Sequence, residues 1–183
     1  MKNDTNAPIY WTQLQLQEWN LHLAATSNGL CYVGSPNKPF GELADWAAAK
    51  FSGRPLVRDD DSLKPYAGGL AEYLQGKSRG FTLPVDLTGT AFQLDVWKAL
   101  RNIPYGQTKS YSDIAHEIQK PAAVRAVGAA IGANPVLIAV PCHRVIGKNG
   151  ALTGYRGGMD MKTKLLELEC GAVPAAAGSL RRV

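Results

Sequence analysis

Cysteine and long apolar runs are what this 183-residue chain has least of. Its three cysteines, Cys31, Cys142 and Cys170, are odd in number and scattered, which excludes a disulfide framework and fits a reducing compartment. No stretch reaches the ~18 consecutive apolar residues that a membrane-spanning helix needs. No basic stretch followed by an apolar run opens the chain, so no signal peptide is expected. A cytoplasmic location follows, or a nuclear one in a eukaryotic source. Internal repeats are absent too, which excludes solenoid and array architectures. What is present, 45% apolar and 19% charged residues, is a globular balance.

The net charge of +5 is unevenly placed. Residues 1–85 carry eight basic and eight acidic side chains, residues 86–183 twelve and seven. A basic second half points to a polyanionic partner.

Residues 9–33 read as strands: IYWTQLQLQ and WNLHLAAT alternate, and LCYVG follows the Asn28-Gly29 turn. Segments 42–51 and 62–75 are predicted helices, so the first half is a small mixed α/β unit. The Gly-rich, polar stretch 76–89, with Pro84, predicts a boundary between a scaffold domain at 1–86 and a second domain at 87–170. There, Thr90 to Gln93 and Ser110 to Asp113 are capping signatures, and Pro121 opens a third helix running to Ala133. A strand is predicted over 136–140, then a hairpin turning at Asn149-Gly150 and a last helix over 159–169. Three short helices followed by a hairpin form a winged helix-turn-helix, and the whole chain is α+β. The tail, 171–183, is patternless and is set apart as a disordered or extraneous segment.

Two stretches carry the chemistry. Between residues 123 and 133, seven are Gly or Ala and Arg125 is the single charge. Small residues allow close approach, either to a minor groove or to a neighbouring helix. The stretch IAVPCHRVIG (138–147) then sets Cys142, His143 and Arg144 at the end of an apolar run. A cysteine here is either an inert core residue or a nucleophile. An adjacent imidazole to take its proton, a guanidinium to stabilise the thiolate and a carboxylate such as Glu169 to orient the imidazole favour the nucleophile. Neighbours on a strand point to opposite faces, so Cys142 and His143 would need a sharp turn or a bridging water.

Pro141-Cys142-His143-Arg144-Val145, preceded by RAVGAAIGANP (125–135) and followed by GYRGG (154–158) and KLLELE (164–169), resembles the O6-alkylguanine-DNA alkyltransferases over residues 90–169. The resemblance implies a small ribonuclease-H-like α/β domain followed by a winged-helix domain. It implies single-turnover transfer of an alkyl group from a flipped guanine to Cys142, with His143 as base through a water and Glu169 completing the triad. Asn134 would be the hinge that supports the cysteine, Tyr111 the residue that aids flipping and protonates guanine N3, and Lys162 the group that polarises Tyr111. Arg125 would fill the gap left by the flipped nucleotide, Ala126, Gly128 and Ala129 would line the groove, and Tyr155 and Arg156 would lie in the loop closing over the base. The implied partner is double-stranded DNA with O6-alkylguanine, or O4-alkylthymine by the same chemistry, bound by a monomer without cofactor. Some relatives hold zinc in the first domain with four ligands; here only His22 and Cys31 are available, so no zinc is expected. Gly132 replaces a bulkier residue of some relatives. Three other readings fit less well. Alkyltransferase-like lesion-binding proteins lack the acceptor cysteine. A winged-helix transcription factor leaves Tyr111, Asn134, His143 and Glu169 unexplained, and a cysteine hydrolase lacks an oxyanion loop.

Overall fold

The computed structural model describes residues 6–171 and 181–182. Strands β1 (Ile9–Leu16), β2 (Trp19–Thr26) and β3 (Gly29–Val33) form an antiparallel meander, and β4 (Leu56–Arg58) joins β1 in parallel, giving the order β3-β2-β1-β4. Alternation decides which face each side chain serves. Leu21 and Leu23 meet Leu63 and Leu70 of helix α2 (Asp60–Leu74). Ala24 and Cys31 meet Leu43 and Ala47 of helix α1 (Phe40–Lys50) on the other face. Asp59 caps α2 by accepting from the Ser62 amide.

The outer edge of β3 is the seam of the molecule. Leu30 bridges Val85 of the connecting segment, and Val33 bridges Val136 beside the cysteine motif, both in parallel. The Leu30 amide donates to Pro84 O at 3.0 Å and the Val33 amide to Pro135 O at 3.0 Å. Gly29 makes the first approach possible: at φ +149, a Cβ there would lie 2.6 Å from Pro84 O.

In the second half, both expected capping boxes form, Thr90 with Gln93 opening α3 (Ala91–Arg101) and Ser110 with Asp113 opening α4 (Tyr111–Glu117). A 3-10 turn at Pro121–Ala123 leads into α5 (Val124–Gly132). Strands β5 (Gln107–Ser110) and β6 (Val145–Ile146) pair in parallel, and α6 (Met159–Gly171) follows. One core runs through both halves, from Leu21 and Tyr73 to Trp97, Val127 and Leu165.

Three expectations are corrected. Residues 136–140 form no strand: after the Val136 bridge the chain coils tightly, with Ala139 N donating to Leu137 O at 2.8 Å and Ile138 held at φ 72. The apolar run encoded burial rather than extension, and Pro135 and Pro141 deny ladder donors at both ends. The hairpin is only a turn, closed by Gly147 N to Ala151 O at 2.8 Å, because Val145–Ile146 pairs with β5 instead. The third helix begins as a 3-10 turn and its α-helical part starts at Val124. Of the 171–183 tail, residues 172–180 and 183 lie outside the described residues; Gly171 ends α6, and Arg181–Arg182 forms a short β7 parallel to β5.

Candidate active site

Cys142 opens a 3-10 turn, Cys142–Arg144, whose tight curvature replaces the alternation of a strand. The turn is held by Arg144 N to Pro141 O at 3.0 Å and Cys142 N to Val140 O at 2.8 Å. Asn134, at the end of α5, spans the bend: Oδ1 accepts from Val136 N at 2.9 Å, while Nδ2 donates to Val140 O and to Cys142 Sγ, each at 3.0 Å. Burial pushes the Cys142 thiol up, against the Asn134 bond and the charges of Arg156 and Lys162, which pull it down.

The sulfur lies on the wall of a cavity of about 620 Å3 bounded by Tyr111, Gly128, Ile131, Thr153 and Tyr155. Gly128 sits against the Tyr111 ring. The small-residue helix has two faces: Val127, Ala130 and Ile131 pack inward, while Arg125, Ala126, Ala129 and Gly132 face out.

Behind the sulfur is a buried polar network. His143 Nε2 and Glu169 Oε1 are 2.8 Å apart. The Glu169 carboxylate also accepts from Arg144 Nε and Nη2, from the Gly106 amide at 3.1 Å, and from the Tyr73 hydroxyl. Burial alone would raise this carboxyl; the hydrogen bonds from His143 and Arg144 and the charge of Arg144 outweigh it and bring it to about 2. Burial pulls His143 below the ordinary histidine value, so its resting form is neutral. His143 Nδ1 is buried and has no hydrogen-bond partner among the described residues.

The sequence-predicted residues Cys142, His143, Glu169 and Asn134 come together. Tyr111 faces them across the cavity, its hydroxyl 2.9 Å from Thr153 Oγ1. Lys162 does not touch Tyr111: its Nζ donates to Val145 O at 2.6 Å and Thr153 O at 2.8 Å, and burial lowers it to about 8. Arg144 is spent on Glu169 and on Ile103 O at 2.7 Å, so it serves the carboxylate rather than the thiol. Tyr155 has its hydroxyl buried and, among the described residues, unpartnered. Arg156 departs furthest from expectation. Its guanidinium binds Val33 O at 2.7 Å, Pro135 O at 3.1 Å and Asn134 O at 3.0 Å, while Ser35 Oγ donates back to Arg156 O. Such a fork satisfies several carbonyls at once and ties the cavity loop to the first half.

Sequence reasoning missed Tyr73 and Thr153. Tyr73 keeps core spacing with Leu70 and Leu74 on α2, so nothing local distinguished it from a packing tyrosine. His22 and Cys31 lie in the first sheet, His22 against Trp11 and Phe40, and Cys31 buried with its thiol pushed up to about 12.

Among the described residues no helix is long and apolar enough to cross a membrane. Two family models match: residues 9–87 fit the ribonuclease-like domain of 6-O-methylguanine DNA methyltransferase, and residues 91–171 its DNA-binding domain. The chain is 65% identical over 167 residues to the inducible methylated-DNA–protein-cysteine methyltransferase of Bacillus subtilis, covering 91% of this chain and 93% of that protein. It is 56% identical over 106 residues to the methylated-DNA–protein-cysteine methyltransferase of Mycobacterium bovis, covering 58% and 64%. Its fold matches a crystal structure of Mycobacterium tuberculosis OGT in complex with DNA, with a TM-score of 0.77, 38% identity and coverage of 91% and 96%.

Proposed function

Because the chain belongs to the 6-O-methylguanine DNA methyltransferase family, we propose that it repairs O6-alkylguanine in duplex DNA by direct reversal, each molecule taking one alkyl group on Cys142. The observation that carries this reading is Cys142 on the wall of a cavity that Gly128 and Gly132 of α5 also line, together with a buried imidazole–carboxylate pair on the adjacent His143.

The alkylated oxygen faces into the duplex, so the nucleotide must be extruded into the cavity. The exposed Arg125 fills the vacated stack, and Ala126, Gly128 and Ala129 let the backbone of α5 approach the minor groove. The thiol proton passes through a water to His143 Nδ1, and the resulting imidazolium faces the Glu169 carboxylate. The thiolate attacks the alkyl carbon: the S–C bond forms as the C–O6 bond breaks, and the electron pair leaves on guanine. Tyr111 donates its proton to guanine N3, and backbone amides around Tyr155 stabilise the charge growing on O6. The influence of Lys162 on Tyr111 runs through Thr153, which touches both. The thioether has no route back to a thiol, so turnover stops at one. O4-alkylthymine would enter by the same chemistry. The protein works as a monomer, and its scattered free cysteines suit the reducing cytoplasm.

Incubation with a duplex carrying O6-methylguanine, followed by mass analysis, tests this. One added methyl per molecule, on the peptide containing Cys142, is expected. Tight binding with unchanged mass would instead mark a lesion-binding protein without chemistry. Cys142→Ala is expected to lose transfer and keep DNA binding.

A further inference from the structure

The first half reaches the reacting groups through α2. Tyr73, 1% exposed on α2, places its hydroxyl 3.2 Å from His143 Nε2 and in a hydrogen bond with Glu169. Its ring packs edge-on to His143, with centroids 6.5 Å apart, and Tyr155 of the second half packs on His143 at the same separation. The imidazole is thus clamped between one tyrosine from each half. Building on the transfer reading above, we propose that Tyr73 is a positioning residue that locks His143 in the tautomer protonated at Nε2, leaving Nδ1 as the lone pair that receives the thiol proton.

The hydrogen-bond inventory supports this directionality. Glu169 takes donors from Arg144 and Gly106, and an ionised carboxylate can only accept. The proton in the His143–Glu169 bond therefore sits on Nε2 for as long as the ring keeps Nε2 against that carboxylate. The Tyr73 hydroxyl also donates to Glu169, which turns an oxygen lone pair towards the same Nε2–H. The opposite tautomer would set the Nε2 lone pair against a carboxylate oxygen and a phenol oxygen together. A carboxylate alone leaves the imidazole free to pivot about that single bond; the second contact, from an element rooted in the core by Leu70 and Leu74, removes the pivot.

Tyr73→Phe keeps the ring and deletes the hydroxyl. Histidine 15N shifts are expected to show His143 protonated at Nε2 in the wild type and a mixture of tautomers in the variant. Single-turnover methyl transfer at saturating duplex should fall roughly ten-fold or more, while the Kd for the duplex stays unchanged. A purely structural tyrosine would lower Tm and leave the tautomer alone. Wild-type shifts showing the proton on Nδ1 overturn the proposal whether or not the variant folds, as does a variant with wild-type shifts and rate. A wild type that transfers no methyl group would sink the transfer reading instead, and the tautomer measurement would still decide the role of Tyr73.

Discussion

Glu169 has no exposed surface, yet it is ionised, because every lone-pair direction is met by a donor from Arg144, His143, Tyr73 or Gly106. Its carboxyl falls from the ordinary 4.5 to about 2 on folding. A carboxyl lowered in the folded state stabilises the protein above its unfolded value and loses that contribution as pH drops through the folded one. The contribution, about 3 kcal/mol, should therefore be intact above about pH 4.5 and be lost towards pH 2. Glu169→Gln, which leaves the Arg144 guanidinium buried without a counter-charge, should unfold at lower temperature at neutral pH. Its Tm should also be flatter across that acid window, as thermal melts at stepped pH would read. A variant with a wild-type Tm–pH curve would show that the carboxylate is not the source of the acid limb.

At the scale of elements, the cavity depends on a loop packed to its limit. A Cβ on Gly157 would lie 2.6 Å from Tyr155 Cε1 and 2.7 Å from Met161 Sδ. Gly157→Ala must therefore move the Tyr155 ring, at a cost of about 1–3 kcal/mol, and Tyr155 borders the cavity that takes the base. Methyl transfer should slow by more than the Tm loss accounts for; a normal rate with a lowered Tm would place the strain outside the cavity. The same scale separates what the sequence made legible from what it did not. Capping boxes at Thr90 and Ser110 are local hydrogen-bond patterns written in four residues, and both form. The bend at 136–140 is set by partners far away, Val33 across the seam and Asn134 spanning the turn, and an apolar run carries no trace of either. Cys142, His143 and Glu169 were legible because their residue types declare their chemistry. Resemblance places Arg156 in the loop closing over the base, and its sequence context holds no sign of the three backbone carbonyls that its guanidinium binds.

At the scale of the whole molecule, the two halves are neither independent nor merely adjacent. They share one core, a clamp on His143, the Arg156 fork and the outer edge of β3. That edge has a consequence for what can be cut apart. Strand β3, Gly-Leu-Cys-Tyr-Val, is buried at every position and carries no charge. Its backbone groups are satisfied by Pro84, Asp86 and Pro135, two of them in the connecting segment and the third in the second half. Remove residues beyond 80 and a flat, apolar strand edge with open donors and acceptors is left facing water, a template for pairing with another copy of itself. A fragment of residues 1–80 should sediment as a self-associating species, and a folded monomer in the ultracentrifuge would contradict this. The covering of that edge makes the second half a guard against aggregation of the first.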